Sequence, residues 1–335
     1  MPAPTRTLLP PMTEAASSRG FDVSVVMSTW NRADVLARAL TSLLQQRAAG
    51  VRYEVVVVDN NSTDSTRAVV ESFLARGSPS LRYLFEARQG ASHGRNTGIL
   101  VARAPIIAFT DDDVTVAPDW IATLKRLLDE HPEVECVGGR VLPHGDSTLP
   151  SWLTREHWAP LALLDYGDQA FYVTPTRRLC LITANAAFRA AVFGRIGLFS
   201  PDVQSFKRET ATEDHELLLR LWRSGGQGLY APTLVVTSDI AEDRFAKGYH
   251  RRWHRRHGRF SALMHDEGLE QTRFGSWLGV PAWIYRELVE GAVRWLSCFL
   301  GGNPDRAFFH ETRIRFAVGF IGARLRERAG RTPGV

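Results

Sequence analysis

Apolar and polar residues fall into blocks along the first third of the chain. Residues 23 to 29 (VSVVMST), 54 to 59 (EVVVVD) and 105 to 110 (PIIAFT) are short, mostly β-branched runs that end in polar side chains, the pattern of strands buried on both faces. Between them the period becomes helical. From Arg32 to Gln46, residues Val35, Leu36, Ala39, Leu40, Leu43 and Leu44 share one stripe, and from Ser65 to Arg76, Val69, Val70 and Phe73 do the same before Gly77 stops the run. The order β-α-β-α-β predicts an α/β fold whose parallel sheet is covered by helices. In open sheets of this kind ligands bind beyond the carboxyl ends of the strands. The polar tips Thr29-Trp30-Asn31, Asp59-Asn60-Asn61 and Asp111-Asp112-Asp113 are therefore expected to converge on one crevice.

The third tip, in AFTDDDVTV, sets three carboxylates side by side. At an effective dielectric near 20, two unit charges about 5 Å apart repel by roughly 3 kcal/mol, so a positive partner is expected there. STWNR follows the first strand, and no G-x-G-x-x-G or G-x-x-x-x-G-K-[ST] is present, which excludes the usual phosphate-cradling turns. Carboxylates and a cation must then hold the ligand. Hard divalent ions such as Mg2+ or Mn2+ suit that task, bridging one or two carboxylates to substrate phosphates.

Bulk properties set limits on the class. With 335 residues, 44% hydrophobic and 23% charged, the chain has ordinary globular composition and room for one large domain with an addition, or for two. Cys136, Cys180 and Cys298 are odd in number and form no C-x-x-C, so neither a disulfide framework nor a zinc ribbon is indicated and a reducing cytoplasm is expected. Residues 1 to 20 carry no secretory pattern and read as a loose tail. No apolar run approaches the roughly 18 residues that span a bilayer.

In order along the chain, VSVVMSTWNRADVLARALTSLLQQ, VVVVDNNSTDST, GASHGRNTGI, FTDDDV, TANAAFR and TEDHELLLRLWRSGG resemble the pattern of family 2 glycosyltransferases, from about Phe21 to about Arg259. The resemblance implies a GT-A fold, Rossmann-like with a mostly parallel central sheet and flanking helices, over residues 21 to 260. Residues 261 to 335 then form a C-terminal amphipathic helical region. It also implies a nucleotide-sugar donor, most simply a UDP-sugar, a divalent metal (Mg2+ or Mn2+), a glycan or lipid-linked acceptor, and inversion at the anomeric carbon.

Residue by residue, the resemblance makes Asp59 the base-recognising carboxylate, with Thr29, Asn31 and Arg32 in the same nucleotide pocket. The plain alternative for Asp59 is an Asx-rich turn before the next helix. Asp111 and Asp113 match the D-x-D pair, with Asp113 on the metal and Asp111 near both ribose and metal. Asp112, between them, is turned to the other side of an extended segment but kept within the donor site. Arg95 and Asn96 match an A-R-N-x-G element in which Arg faces the diphosphate and Asn orders the loop. His93-Gly94 departs from the usual small pair there and leaves the detail of the loop open. Asn185, in TANAAFR, stands beside the donor sugar and acceptor.

In TATEDHELLLRLWRSGG, Leu217, Leu218, Leu221 and Trp222 face inward on a helix that Gly225 and Gly226 end. Thr210 and Glu213 have capping-box spacing. The resemblance makes Asp214 the catalytic base, with Glu213 in reserve. Ser238 stands where the family often has a metal-binding His, so the third ligand is open between Asp239 and water. RFAKGYHRRWHRRHGR, residues 244 to 259, interleaves cations with Tyr249 and Trp253. The resemblance makes it a diphosphate lid, using Arg252 and Trp253, that also faces membrane; the plain alternative is a solvated basic helix face. Residues 277 to 300 and 305 to 328 are aromatic- and arginine-rich helices that either pack on their own domain or lie on an anionic bilayer; the acceptors that the resemblance implies point to peripheral attachment to the cytoplasmic leaflet.

Two other classes compete. A sugar nucleotidyltransferase shares a related sheet but needs a Gly-rich, Lys- or Arg-bearing first loop, which STWNR is not. A non-catalytic nucleic-acid binder would explain residues 244 to 259 but would leave Asp59, the Asp111 to Asp113 run and Asp214 without a role, since clustered carboxylates repel phosphate. No nucleic-acid partner is expected.

Overall fold

The structure, a computed structural model, describes residues 20–77, 80–145, 149–201, 213–265, 267–270 and 275–330. The predicted tail, apart from Gly20, and the Thr210 end of the predicted capping box lie outside the described residues. Contacts divide the chain into two units, one of Met1–Gly145, Leu163–Pro201 and Glu213–Asp239, the other of Asp146–Ala162, Asp202–Thr212 and Ile240–Val335.

The first unit is α/β. The predicted strands form as β1 (Val23–Thr29), β2 (Tyr53–Asp59) and β4 (Ile106–Phe109), and the predicted helices as α1 (Ala33–Leu44) and α2 (Thr66–Ala75). One βα step was not legible in the apolar pattern: β3 (Leu81–Phe85) and α3 (Ala91–Val101) complete the crossover to β4. The remaining elements are β5 (Val114–Val116), α4 (Trp120–Glu130), β6 (Cys136–Pro143), β7 (Phe171–Val173), β8 (Ala186–Arg189), α5 (Ala191–Ile196), α6 (Glu213–Arg223) and β9 (Gly228–Ser238). The strand order is β3-β2-β1-β4-β8-β6-β9-β5, with β7 on β9. β3, β2, β1 and β4 run parallel, as do β6 and β9, whereas β8 pairs antiparallel with both β4 and β6.

Val23, Val25, Val26 and Met27 of β1 and Val55 to Val58 of β2 are buried, as expected for strands covered on both faces. Within this core Glu54 is also buried. Its Oε1 accepts from Ser24 Oγ at 2.7 Å and Arg103 N at 2.8 Å, and its Oε2 from Arg82 Nη1 at 2.9 Å, which satisfies the charge.

The GASHGRNTG stretch, glycine-rich and loop-like by composition, is helical because its glycines face the sheet. A Cβ on Gly94 would stand 2.1 Å from Ser28 Oγ, and one on Gly98 would stand 2.2 Å from Val26 Cγ1. Spaced one helical turn apart, Gly94 and Gly98 let α3 lie directly on alternate residues of β1. The backbone contact outweighs glycine's poor helix propensity.

The second unit is helical in its described part: α7 (Lys247–Leu263), α8 (Glu267–Glu270), α9 (Ala282–Leu300) and α10 (Pro304–Arg328), with a short hairpin of β10 (Ser276–Trp277) and β11 (Val280–Pro281) before α9. α10 packs against α7 through Gly258 and Gly319, where a Cβ would meet the Phe316 and Arg255 carbonyl oxygens at 2.0 and 1.9 Å. Among the described residues no helix is long and apolar enough to cross a membrane.

Gly98→Ala sets two effects against each other: alanine gains about 1 kcal/mol in helix propensity, while overpacking against Val26 costs about 1–3 kcal/mol. We expect a net loss of stability in urea denaturation. A variant as stable as the parent would show that the α3–β1 contact does not constrain this position.

Candidate active site

The carboxyl ends of β1, β2 and β4 carry polar residues held in a shared frame. In register, Thr29 stands beside Asp59, and Asn60 N donates to Thr29 O at 2.8 Å. Asn60 then fixes the loop into α3, its Oδ1 accepting from Gly90 N at 2.6 Å and its Nδ2 donating to Arg88 O at 2.6 Å. Asp59 is buried, with Oδ1 accepting from Ser62 N at 2.9 Å and Oδ2 from Tyr83 OH at 2.8 Å. Burial, and then the hydrogen bond to Asp59 and its charge, push the Tyr83 phenol up to about 12. Asn31 adopts a left-handed backbone with φ of 50°, a conformation asparagine tolerates. Its Oδ1 accepts from Thr63 N at 2.7 Å and its N donates to Ser62 Oγ at 2.9 Å, so it ties the β1 tip to the β2 tip.

Asp111, Asp112 and Asp113 form the turn between β4 and β5, closed by Val114 N donating to Asp111 O at 3.3 Å. The positive partners that this run requires are two arginines. Arg32 Nε lies 4.0 Å from Asp112 Oδ1 and Arg32 Nη2 lies 3.7 Å from Asp113 Oδ2. Arg95 Nη2 donates to Asp111 Oδ1 at 3.2 Å. Asp112 is the buried member of the three. Desolvation first, and then the neighbouring Asp113 charge, push its carboxyl up to about 7.

Arg95 reaches further. Its Nη1 donates to Glu213 Oε1 at 2.6 Å, and the same nitrogen lies 4.0 Å from Asp214 Oδ1. The guanidinium sits over the Phe199 ring at 5.6 Å, and Phe199 packs edge-on to Phe109, the last residue of β4, at 5.5 Å. Burial on this aromatic floor opposes the Arg95 charge, but Asp214, Asp111 and Glu213 outweigh it and keep the group protonated. Asn96 fixes the same floor, donating from Nδ2 to Phe199 O at 2.8 Å and accepting at Oδ1 from Phe199 N at 2.9 Å. Glu213 is buried, and its Oε2 has no hydrogen-bond partner among the described residues.

Asp214 begins α6 beside Glu213. Thr183 N donates to its Oδ2 at 3.0 Å and Thr183 Oγ1 to its Oδ1 at 2.8 Å. Burial raises its carboxyl above the ordinary range, Arg95 opposes this, and the Glu213 charge adds to it. Thr183 opens the TANAAFR stretch, in which the sequence gave a role only to Asn185, and its own role follows from the fold. The same holds for Tyr83 and Phe199.

Asn185 is not brought into this group. Its amide is spent inside the protein, with Oδ1 accepting from Trp120 Nε1 at 2.7 Å and Nδ2 donating to Arg140 O at 2.8 Å and Leu234 O at 2.9 Å. It pins α4, β6 and β9 together. Asp239 donates its backbone N to Asp113 O at 2.9 Å, and its carboxylate is ion-paired with Arg38. Ser238 Oγ lies 3.5 Å from Asp239 O. Arg252 and Trp253 belong to the second unit, where Arg252 is exposed and Trp253 stacks on His257 with ring centroids 4.6 Å apart.

Among the described residues no group of three or more His, Cys, Asp or Glu is arranged to hold a metal ion. Asp111 and Asp113 are nevertheless hard oxygen donors on one turn. An octahedral ion that keeps waters and shares phosphate oxygens needs only one or two such carboxylates, so the donor set fits that kind of ion.

The family model described as Glycosyl transferase family 2 matches residues 24–197. Validoxylamine A glucosyltransferase of Streptomyces hygroscopicus subsp. jinggangensis is 39% identical over 230 residues, a match covering 61% of this chain and 52% of that protein. The chain thus spans about half the length of that curated relative. Among solved structures, the mannosyltransferase PcManGT of Pyrobaculum calidifontis, in complex with GDP-Man and Mn2+, is similar at TM-score 0.59 and 20% identity, covering 95% of this chain and 89% of that one. TarS 1-349 of S. aureus in complex with UDP is similar at TM-score 0.53 and 16% identity, covering 94% of this chain and 93% of that one. These two likenesses are of fold.

Arg95 is the shared counter-ion of Asp111 and Glu213, so removing it strands buried charge. Arg95→Gln is expected to cost about 3–5 kcal/mol in chemical denaturation, and Glu213→Gln in the same chain to return part of that loss. Additive single and double variants would mean that Arg95 and Glu213 are not coupled.

Proposed function

The chain belongs to glycosyl transferase family 2, and from that premise we propose that it is a metal-dependent, inverting transferase. It moves a sugar from a nucleotide-sugar donor, a UDP-sugar in our reading, to a hydroxyl of a glycan or lipid-linked acceptor. The observation that carries the reading is the run Asp111–Arg95–Glu213, buried at Arg95 and Glu213, with Asp214 beside it, which links the acidic turn to a carboxylate of raised proton affinity.

The reaction is a single in-line displacement. The acceptor oxygen attacks the anomeric carbon as the bond from that carbon to the phosphate oxygen breaks, and the nucleoside diphosphate leaves. Asp214 takes the acceptor proton. Two hydrogen bonds from Thr183 occupy part of its lone-pair capacity and fix its orientation, and a carboxylate has about four acceptor sites, so a third partner can be accommodated. Its raised pKa brings it nearer the working range of a general base. Asp111 and Asp113 would hold a divalent ion, which when bound supplies charge stabilisation to the departing diphosphate. Arg32 and Arg95 already supply positive charge to this turn. Arg32, lying 3.7 and 4.0 Å from its carboxylates, is loosely enough placed to turn toward phosphate. Asp59 and Asn31 hold the β2 tip in the conformation that receives the nucleoside.

A thermal-shift panel of UDP-, GDP-, CMP- and dTDP-sugars with and without Mn2+ tests the class, and we expect metal-dependent stabilisation by one nucleotide. Indifference to all four would count against the reading. Asp214→Asn should retain that stabilisation and lose transfer by a factor of about 100 or more, whereas Asp113→Ala should lose the metal-dependent part of the shift. Unimpaired transfer by Asp214→Asn would remove Asp214 as the base.

Asp214 must be ionised to act, so kcat/KM should fall as pH drops through its pKa, with the acid limb above the ordinary aspartate range. Arg95 favours the ionised form, and Arg95→Gln should move that limb to higher pH. A limb that stays in place would separate Arg95 from the base.

A further inference from the structure

α9 is buried at Ile284 and Gly291, where it meets α10: a Cβ on Gly291 would lie 3.1 Å from Ile314 Cγ1 and 3.9 Å from His310 O. The other side of the helix is apolar and open. Val289, Val293, Leu296 and Leu300 are between 49% and 75% exposed, and their spacing of i, i+4, i+7 and i+11 sets them on a single stripe. Phe299 extends it, 59% exposed and stacked on Trp295 at 5.5 Å. At the N-terminal end the β10–β11 hairpin presents Trp277, 66% exposed, against Tyr285 at 5.5 Å.

We propose that this face of α9, with Trp277, docks on an anionic lipid bilayer, lying in the interface and not crossing it. Tryptophan and tyrosine along an apolar helix face are the side chains that settle at headgroup depth, and leucine, valine and phenylalanine between them enter the acyl boundary. Charge selects the anionic surface. Arg286 and Arg294 are exposed on α9 and share the single Glu290 between them. Elsewhere in the same helical unit, Arg252 and Arg255 of α7 are exposed, while Lys247 and Arg251 are paired with Asp305 and Glu311 of α10.

The same features disfavour a second copy of the chain as the occupant. The five α9 side chains and Trp277 offer on the order of 600 Å2, below the roughly 800 Å2 per partner of a specific dimer. Two copies face to face would also bring together two Arg286–Glu290–Arg294 clusters of the same net sign. A bilayer requires no matching surface and supplies the opposite charge. The inference does not depend on the reaction assigned to the first unit.

Flotation of the full chain with vesicles tests it. We expect binding to an equimolar phosphatidylcholine–phosphatidylglycerol mixture, a blue shift of tryptophan emission, and loss of binding on pure phosphatidylcholine or in high salt. Val293→Asp with Leu296→Asp, both at exposed positions, should weaken binding by about tenfold or more without changing the melting temperature. If that pair lowers the melting temperature, Leu300→Glu at the most exposed site of the stripe reads the same loss. Failure of the wild-type chain to bind anionic vesicles would overturn the proposal, as would wild-type binding by the folded variants. A monomer–dimer equilibrium by light scattering that these substitutions abolish would also overturn it, in favour of self-association.

Discussion

The pairing of one buried arginine with carboxylates from two distant parts of the chain constrains most of the candidate site. Arg95 comes from α3, Asp111 from the turn after β4 and Glu213 from the start of α6, and the two hydrogen bonds that join them measure 3.2 and 2.6 Å. Glu213 could not be buried as an ion without it, since an isolated ion in a low-dielectric interior is strongly disfavoured. The cation fixes the distance between the acidic turn and the Glu213–Asp214 pair.

Placing Arg95 is the work of backbone packing. Gly94 and Gly98 bring α3 onto β1 closely enough that a methyl group would not fit, and Asn96 clips the helix to Phe199 through both of that residue's backbone groups. Asn60 holds the loop that enters α3. Three polar or small residues that look like loop chemistry in the sequence are thus the means by which one helix is set in depth and rotation. The tolerance is small because protein interiors are close-packed and transmit displacement.

Several residues chosen for ligand chemistry spend their polar atoms on the protein itself. Asn185 joins three elements through one amide, Asn31 joins two strand tips, and Asp59 is shared by the Ser62 turn and Tyr83. Most buried polar groups are hydrogen-bonded, and a strand end is where backbone donors most need side-chain partners. Residue type at such a position identifies the neighbourhood of a site without distinguishing the residue that meets a ligand from the one that supports it.

By itself the sequence determined the α/β alternation, the limits of β1 and, to within two residues, those of β2, α1 and α2, and the neighbourhood formed by Thr29, Asp59 and the Asp111 to Asp113 run, because hydrophobic period and strand-end polarity are local properties of the chain. It also carried the need for positive charge at that run, though not which arginines would supply it. Tertiary structure alone decided that GASHGRNTG is a helix, that β8 runs antiparallel between β4 and β6, that Thr183 holds Asp214, and that Arg95 serves Asp111 and Glu213 together. Each of these rests on contacts between residues far apart in sequence: a glycine is helical here because a strand lies against it, and an arginine is buried here because two acids from other elements meet it.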